Sequence, residues 1–190
     1  MRKVLIVNSS ARSKSNSSIL SAQVAAGAKS AGHEVETLEI GKLRINPCLG
    51  CMACKLPNRS SEYCVQKDDM SPLYKSIVAA DVIIYVSPVY WFNLGGQIKQ
   101  FIDRCFALAA SSDTTSANPF SEKKLGAVLA FGGDDVFDSG AINAIRSLQD
   151  VCSYTGARWA GAIYGSANDE GAIAADAVLL AKAREFGAGL

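Results

Sequence analysis

Five apolar segments of strand length recur along the chain, and longer segments separate them. Three of the five are almost continuous in Val, Ile, Leu and Ala, which is typical of parallel strands covered by helices on both faces. Because the segments between them are long enough for helices, the pattern predicts a parallel sheet built from strand–helix–strand units. The predicted strands are residues 3–8, 34–40, 81–87, 125–131 and 158–164.

Helical periodicity fills the segments between these strands. An apolar stripe begins at Leu20 and stops beside Gly32, a residue type that commonly ends helices. Residues 94–108 repeat apolar side chains at helical spacing, with polar side chains on the other faces. Further helical patterns cover residues 72–80, 142–154 and 172–186. With helices on each side of the sheet, we expect a three-layer α/β/α sandwich.

Composition agrees with one buried core. Of the 190 residues, 49% are hydrophobic and 19% are charged, so we expect a single domain over residues 1–190. The formal net charge is only +1 and no Lys/Arg block exceeds two residues, which argues against nucleic acid as a partner. The apolar run after Lys3 is too short for a secretion signal or a membrane span. We therefore expect a cytoplasmic protein with no membrane partner.

A polar loop directly follows the first strand and leads into the first helix. The N-terminus of a helix presents unpaired N–H groups that favour a phosphate, and small hydroxyl side chains add donors without blocking its approach. Neither a glycine-rich dinucleotide pattern nor a Walker pattern is present, so a mononucleotide fits better. Alternatively, the serines only cap the helix. The candidate phosphate-binding residues are Ser10, Arg12, Lys14, Ser15, Asn16 and Ser17.

The order of residues in this loop has a counterpart in a known family. Ser10-x-Arg12 followed by Ser15-Asn16-Ser17 resembles the phosphate loop of the NADPH-dependent FMN reductase family. That family has a flavodoxin-like fold. The resemblance implies a five-stranded parallel sheet in the order 2-1-3-4-5 that binds FMN at the carboxyl ends of its strands, with NAD(P)H as cosubstrate. It covers residues 2–165.

A second loop, after the third strand, contains a proline and three consecutive aromatic residues. In a cleft beside the strand ends these aromatic side chains could stack on a planar ring, although an aromatic cluster is more often part of a core. The segment resembles the flavin-edge loop of the same family, which implies that the isoalloxazine ring lies here. The candidate flavin contacts in this loop are Pro88, Val89, Tyr90, Trp91, Phe92 and Asn93.

A third loop follows the fourth strand. Gly132 and Gly133 would permit close approach of the backbone to a cofactor, and Asp135 lies beside them. The alternative is an ordinary turn whose acidic residues cap a helix starting near Asp138. Because the carboxyl ends of parallel strands share one edge, we expect the three loops to converge on one flavin site.

Four cysteines lie within residues 41–70, a long stretch with little periodicity that we call the cysteine loop. Cys48, Cys51 and Cys54 have the spacing C-x2-C-x2-C, and Cys64 follows after nine intervening residues. Three thiolates at this spacing can hold an iron–sulfur cluster that a more distant cysteine completes. The run resembles the cysteine motif of iron–sulfur flavoproteins, which carry a [4Fe–4S] cluster near FMN, although its gap before Cys64 is longer. The alternatives are a metal-free thiol loop and a zinc site.

Three further features have simpler expected roles. Cys105 and Cys152 fall on apolar helical stripes and are expected in the core. His33 is the only histidine and is expected at the surface, so neither a histidine-based triad nor a histidine metal cluster is expected. Residues 111–116 are rich in Ser and Thr and are expected to form a surface loop.

The resemblance implies an FMN-dependent oxidoreductase. Electrons would pass from NAD(P)H, or from an iron–sulfur donor protein, through FMN to a quinone, a flavin or another small acceptor. Because the flavin performs the chemistry, no side chain is expected to act as a catalytic acid or base. A homodimer or homotetramer is also implied, with Trp91 and Phe92 at the subunit interface.

Three alternatives belong to other functional classes. An iron–sulfur flavoprotein or a flavodoxin-type carrier would transfer electrons without substrate turnover, and a redox sensor would use the cysteine loop for cysteine-dependent partner binding. The nearly neutral charge argues against the carrier, because such carriers dock electrostatically and are usually strongly acidic.

Overall fold

The computed structural model describes residues 1–12, 14–56, 63–109 and 118–190. The surface loop expected at residues 111–116 lies outside these ranges. Within them the chain forms one main sheet whose strands are parallel and ordered β2-β1-β3-β5-β6. A short strand, β4, pairs antiparallel with the end of β3. The strands are β1 Lys3–Asn8, β2 Glu34–Glu39, β3 Val82–Tyr90, β4 Asn93–Leu94, β5 Lys124–Phe131 and β6 Arg158–Ser166.

This topology confirms the predicted fold. The predicted order 2-1-3-4-5 and the observed order differ only in numbering, because the hydrophobic pattern did not indicate β4. A strand of two residues is too short to show periodicity. Strand β3 also extends beyond the predicted residue 87, since Val89 and Tyr90 pair with Leu94 and Asn93 of β4.

Five helices occupy the described residues between and after the strands: α1 Asn16–Ser30, α2 Met70–Ala79, α3 Gly96–Arg104, α4 Ala141–Thr155 and α5 Ala177–Ala188. The helix predicted at residues 94–108 is shorter, because β4 takes Leu94 and a 3₁₀ turn, Cys105–Ala107, follows Arg104. The helix predicted at residues 172–186 is divided for a similar reason: Asp176 accepts a hydrogen bond from the Leu179 amide and caps α5 after a separate 3₁₀ turn. Helix α4 begins at Ala141, beyond the start expected near Asp138.

The helices form a layer on each side of the sheet. Alternation along β1 sends Val4 and Ile6 into the core under α1 and α5, and Leu5 and Val7 into the core under α2, α3 and α4. Contact between α1 and α5 is so close that a Cβ atom at Gly187 would lie 2.0 Å from the carbonyl oxygen of Val24. The helix pair therefore depends on a residue without a side chain at this position.

The remaining expectations concern individual side chains. Cys105 and Cys152 are buried, as predicted, and burial raises the pKa of both thiols, that of Cys152 to about 11. His33 is half-buried, and its Nδ1 accepts a hydrogen bond from the Arg2 amide. Across the parts of the chain that the structure describes, no helix has the length and apolar character needed to cross a lipid bilayer.

Candidate functional site

The loops after β1 and β5, the end of β3 and the segment after β6 line one cleft at the carboxyl edge of the sheet, with a volume of about 160 Å³. This convergence is what parallel strands produce at the edge where they end. Lys14, Trp91, Phe92, Asn93, Gly133 and Asp135 lie beyond its walls. The predicted site residues that line the cleft are Ser10, Arg12, Ser15, Asn16, Ser17, Pro88, Val89, Tyr90 and Gly132.

The first loop is held in shape by its own hydrogen bonds. The Asn8 side chain donates to Glu39 Oε2 and to Ser18 Oγ, each at 2.9 Å, and accepts from the Ser10 amide at 3.2 Å. The Ser10 hydroxyl in turn accepts a hydrogen bond from the Arg12 amide at 3.3 Å. These bonds hold the backbone of residues 8–12 in place without a ligand, which lowers the entropic cost of binding.

The N-terminus of α1 opens into this loop. Ser15 is the N-cap residue, and its Oγ accepts a hydrogen bond from the Ser18 amide at 3.2 Å. The amides of Asn16 and Ser17 lie in the first turn and have no carbonyl partner within the helix. Capping and anion binding are thus compatible here, because the cap uses the Ser18 amide and leaves the first two amides of the helix available to a ligand.

Asn16 has a structural role that the sequence did not indicate. Its Nδ2 donates to the carbonyl oxygens of Ala167 and Asp169 at 3.2 and 2.9 Å, and its Oδ1 accepts from the Ile173 amide at 3.2 Å. Both ends of the side-chain amide therefore hold the segment after β6 against the first loop. A phosphate in the cleft would meet the backbone amide of Asn16 rather than its side chain.

Positive charge at the first loop is available to a ligand. Arg12 and Lys14 are exposed, and neither forms an ion pair with any residue that the structure describes. Beyond the predicted residues, the segment after β6 contributes Asn168 and Glu170 to the wall of the cleft. These residues follow the fifth parallel strand, and that position in the sequence could have predicted a fourth loop at this edge.

The aromatic segment forms a tight hairpin turn between β3 and β4. Trp91 and Phe92 have positive φ values of 48° and 64°, a backbone region that side chains other than glycine rarely adopt. Trp91 is 93% exposed, and its ring meets the Phe92 ring edge-on at 6.0 Å between centroids. The Asn143 side chain of α4 donates to the Phe92 carbonyl at 3.2 Å and anchors the turn.

The third loop brings backbone, rather than side chains, to the cleft. A Cβ atom at Gly132 would lie 2.5 Å from Asn168 Oδ1, so a larger residue here would require the Asn168 side chain to move. The Asp135 carboxylate accepts hydrogen bonds from the amides of Phe137 and Asp138 at 2.7 and 2.9 Å. Asp135 therefore closes a turn, as the alternative interpretation of the acidic residues had it.

Comparison with known proteins agrees with this geometry. The profile of the family described as NADPH-dependent FMN reductase matches residues 2–171. The chain belongs to this family. The match includes each of the loops that line the cleft, and the cysteine loop as well.

Relatives of this FMN reductase family member include two archaeal proteins. An iron–sulfur flavoprotein of Methanocaldococcus jannaschii is 34% identical over 122 residues, which are 64% of this chain and 57% of the relative. An iron–sulfur flavoprotein of Methanosarcina thermophila is 35% identical over 123 residues, 65% of this chain and 58% of the relative. The chain thus spans less than two thirds of the length of these relatives.

Solved structures show the same fold. The NAD(P)H:quinone oxidoreductase from Methanothermobacter marburgensis superimposes with a TM-score of 0.73 at 18% identity. The superposition covers 98% of this chain and 96% of that protein. At this level of identity the match establishes a common architecture.

The four cysteines of the cysteine loop lie outside the lining of the cleft in this family member. Cys48 and Cys51 are exposed, Cys54 and Cys64 are half-buried, and none of them lines the cleft. Burial raises the pKa of the Cys54 thiol, with Lys55 acting in the opposite direction. Among the described residues, no three His, Cys, Asp or Glu side chains form a group that could hold a metal ion.

A buried ion pair that no sequence pattern indicated anchors the cysteine loop. Arg104 at the end of α3 donates to both carboxylate oxygens of Asp68, at 2.5 and 3.1 Å, and to the Asn46 carbonyl at 2.9 Å. The Asp68 carboxylate also accepts from the Asn46 amide at 2.8 Å. One guanidinium therefore ties segments on both sides of the four cysteines to the core.

Proposed function

We propose that the chain binds FMN in the cleft and transfers electrons from NAD(P)H to a quinone, a flavin or another small acceptor. The observation that carries this proposal is the convergence of the loops after β1 and β5 and the end of β3 on one cleft. The family to which the chain belongs supports the choice of cofactor. Bound FMN accepts a hydride and releases electrons singly or in pairs, so the protein has to hold, orient and expose the ring.

The first loop would bind the phosphate end of FMN. The amides of Asn16 and Ser17 supply donors with a partial positive charge, and Arg12 and Lys14 supply full charges that no described carboxylate neutralises. Ser10 and Ser17 are buried beside them, so hydroxyl groups rather than bulky side chains face the cleft. Together these groups fit a phosphate dianion.

The other end of the cleft would bind the flavin ring. Ligand pockets typically enclose roughly 300–1,000 Å³, so a cleft of about 160 Å³ encloses only part of a mononucleotide. The exposed turn of Tyr90, Trp91 and Phe92 continues the cleft with aromatic surface. Gly132 offers backbone at close range on the facing side. No side chain is assigned as an acid or base.

The first experiment is a titration of flavin-free protein with FMN and with riboflavin, which lacks the phosphate. We expect FMN to bind more tightly. The Arg12→Ala variant should lose affinity for FMN by about tenfold to a hundredfold, as for a hydrogen bond to a charged group. Riboflavin binding should not change. Arg146→Ala is the matched control, because Arg146 is an exposed arginine on α4 that pairs with Asp150 at 2.9 Å.

The activity is tested on FMN-saturated protein by steady-state oxidation of NADH and NADPH with a quinone as acceptor. Multiple turnovers support the reductase, whereas reduction only by a partner protein would support the flavodoxin-type carrier. Failure to bind either flavin, or equal binding of both with no effect of Arg12→Ala, would overturn the proposed site.

An iron–sulfur flavoprotein is the second candidate, and the names of the archaeal relatives favour it. Among the described residues the four cysteines do not form a group of metal ligands, so the proposed function includes no electron transfer through a cluster. Iron and sulfide analysis of protein purified without oxygen decides this question. Iron and sulfide at about four per chain, as one cube requires, would favour this second function over the simple FMN reductase.

The proposal extends to a homodimer or homotetramer in the cytoplasm. The exposed aromatic surface at Trp91 and Phe92 supports an oligomer in which a second copy covers the flavin cleft. Analytical ultracentrifugation of the wild type and of Trp91→Ala checks this interface, because a monomeric wild type would exclude it.

A further inference from the structure

A second cavity, of about 460 Å³, lies between the C-terminal ends of α3 and α4 and the cysteine loop. It shares no lining residue with the flavin cleft. Its walls are mainly apolar, with aromatic rings from Phe106, Phe120 and Tyr154. Both the volume and the apolar lining are typical of a pocket for a small organic molecule.

Tyr85 of β3 lines this cavity and is fully buried. Its hydroxyl has no hydrogen-bond partner among the described residues. Buried hydroxyl groups in proteins are nearly always hydrogen-bonded, because an unpaired one has lost its water without replacement. Burial raises the pKa of Tyr85 well above its ordinary value, so the group stays a neutral O–H donor. A ligand with an acceptor oxygen would complete this site.

The other polar groups of the cavity define the charge of that ligand. The Thr155 hydroxyl already donates to the Val151 carbonyl at 2.7 Å, and the Asp103 carboxylate pairs with Lys99 at 2.6 Å. The described lining contains no lysine or arginine, while Asp103 is negative. The Asp103 charge is paired with Lys99, and the Lys55 ammonium lies 4.3 Å from the centroid of the Phe106 ring, so neither sign of charge dominates beside the mainly apolar walls. A neutral molecule fits best.

We propose that this cavity binds a small neutral molecule with an aromatic or alicyclic body and a carbonyl or ether oxygen that accepts a hydrogen bond from Tyr85. The proposal is independent of the flavin cleft, because it is carried by the volume, the aromatic walls and the unpaired hydroxyl on another part of the fold. Cys48 and Gly50 form one edge of the cavity, so the occupant would contact the cysteine loop.

The test compares 1-tetralone with tetralin, which has the same ring system without the carbonyl. Both are titrated into the full chain saturated with FMN, and binding is followed by protein-detected NMR. We expect 1-tetralone to shift the signals of Ile102, Phe106 and Tyr154. Tyr85→Phe should weaken the binding of 1-tetralone by about threefold to tenfold, as for the loss of one neutral hydrogen bond. The binding of tetralin should not change.

Tyr74→Phe is the matched control. Tyr74 is also a buried tyrosine, but its hydroxyl donates to the Arg104 carbonyl at 3.1 Å and it does not line the cavity. This variant should bind 1-tetralone as the wild type does.

Three results would overturn the proposal: no binding of 1-tetralone to the wild type, an equal effect of Tyr85→Phe on both probes, or shifts confined to Tyr90 and Gly132 in the flavin cleft. The last result would also show that FMN leaves the cleft open to small ketones. The position of the shifted signals thus separates the two sites.

Discussion

Arg104 and Asp68 meet with side chains that are 1% and 5% exposed. Removing two charges from water is costly, and a buried pair is tolerated only when its geometry is good and the remaining atoms are bonded. Here the Asn46 backbone provides an acceptor and a donor to the same pair, while Arg104 Nε has no hydrogen-bond partner among the described residues. Burial by itself would raise the pKa of Asp68, but the hydrogen bonds from Arg104 and the backbone outweigh it and lower that pKa below 3.8.

This lowered pKa predicts how stability depends on pH. A carboxyl whose pKa is lower in the folded state stabilises the protein above its unfolded pKa and loses that contribution as pH falls through the folded pKa. Asp68→Asn should therefore lower the free energy of unfolding at pH 7, by up to about 3–5 kcal/mol for a broken buried pair. The difference between variant and wild type should shrink below pH 3.8.

Urea unfolding between pH 2.5 and 7 measures this difference. Asp103→Asn is the control, because Asp103 pairs with Lys99 in an exposed i,i+4 bridge, for which only a few tenths of a kcal/mol are expected. A constant offset between Asp68→Asn and the wild type across the pH range would show that the ionised carboxylate is not responsible.

At the scale of elements, the β3–β4 hairpin departs from local preference. A two-residue turn with two positive φ values strongly favours Asn-Gly, yet the chain places Trp91 and Phe92 there. Such conformations cost of order 1–3 kcal/mol per residue and tend to persist at functional sites. The pairing of Val89 with Leu94 and the bond from Asn143 hold the turn against this cost. The strained turn displays two exposed aromatic rings beside Tyr90, which lines the cleft.

The double substitution Trp91→Asn and Phe92→Gly should have opposite effects on stability and on ligand binding. We expect the double variant to be more stable by about 1–3 kcal/mol, because its residues adopt the turn without strain. It should also bind FMN more weakly, since the aromatic surface is lost. Urea unfolding and FMN titration check the two parts, and a variant that is no more stable than the wild type would contradict the strain argument.

At the scale of the whole molecule, the cleft joins the loops after β1 and β5, the end of β3 and the segment after β6. A ligand that binds these loops only when they are assembled must stabilise the folded chain as a unit. FMN at a hundred times its dissociation constant should therefore raise the free energy of unfolding by about 2.7 kcal/mol. At the same FMN concentration, the free energy of unfolding of the Arg12→Ala variant should rise by less.

Chemical unfolding with and without FMN measures this coupling. AMP is the control ligand, because it carries a phosphomonoester but lacks the flavin ring. An equal gain with AMP would mean that the phosphate loop alone binds and that the aromatic turn does not take part.

Much of the architecture was predictable because it depends on local pattern. Near-continuous apolar segments predicted the central strands, and helical spacing predicted α1 to α5, since each periodicity is visible within a dozen residues. Because strands and helices alternate along the chain, the loops after β1, β3 and β5 were expected at one edge of the sheet. The phosphate and aromatic segments could therefore be proposed as one site before any contact was known.

The contacts that shape the site were decided only by the tertiary structure. Asn16 holds the segment after β6, and Arg104 ties Asn46 to Asp68, through hydrogen bonds between residues far apart in the chain. Likewise, Leu94 left its predicted helix because it pairs with Val89 in β4, where its backbone N–H donates to Asn93 Oδ1 at 2.8 Å. Sequence periodicity reports which face of an element is buried, but the partner of a polar side chain depends on which distant backbone groups folding brings within about 3 Å.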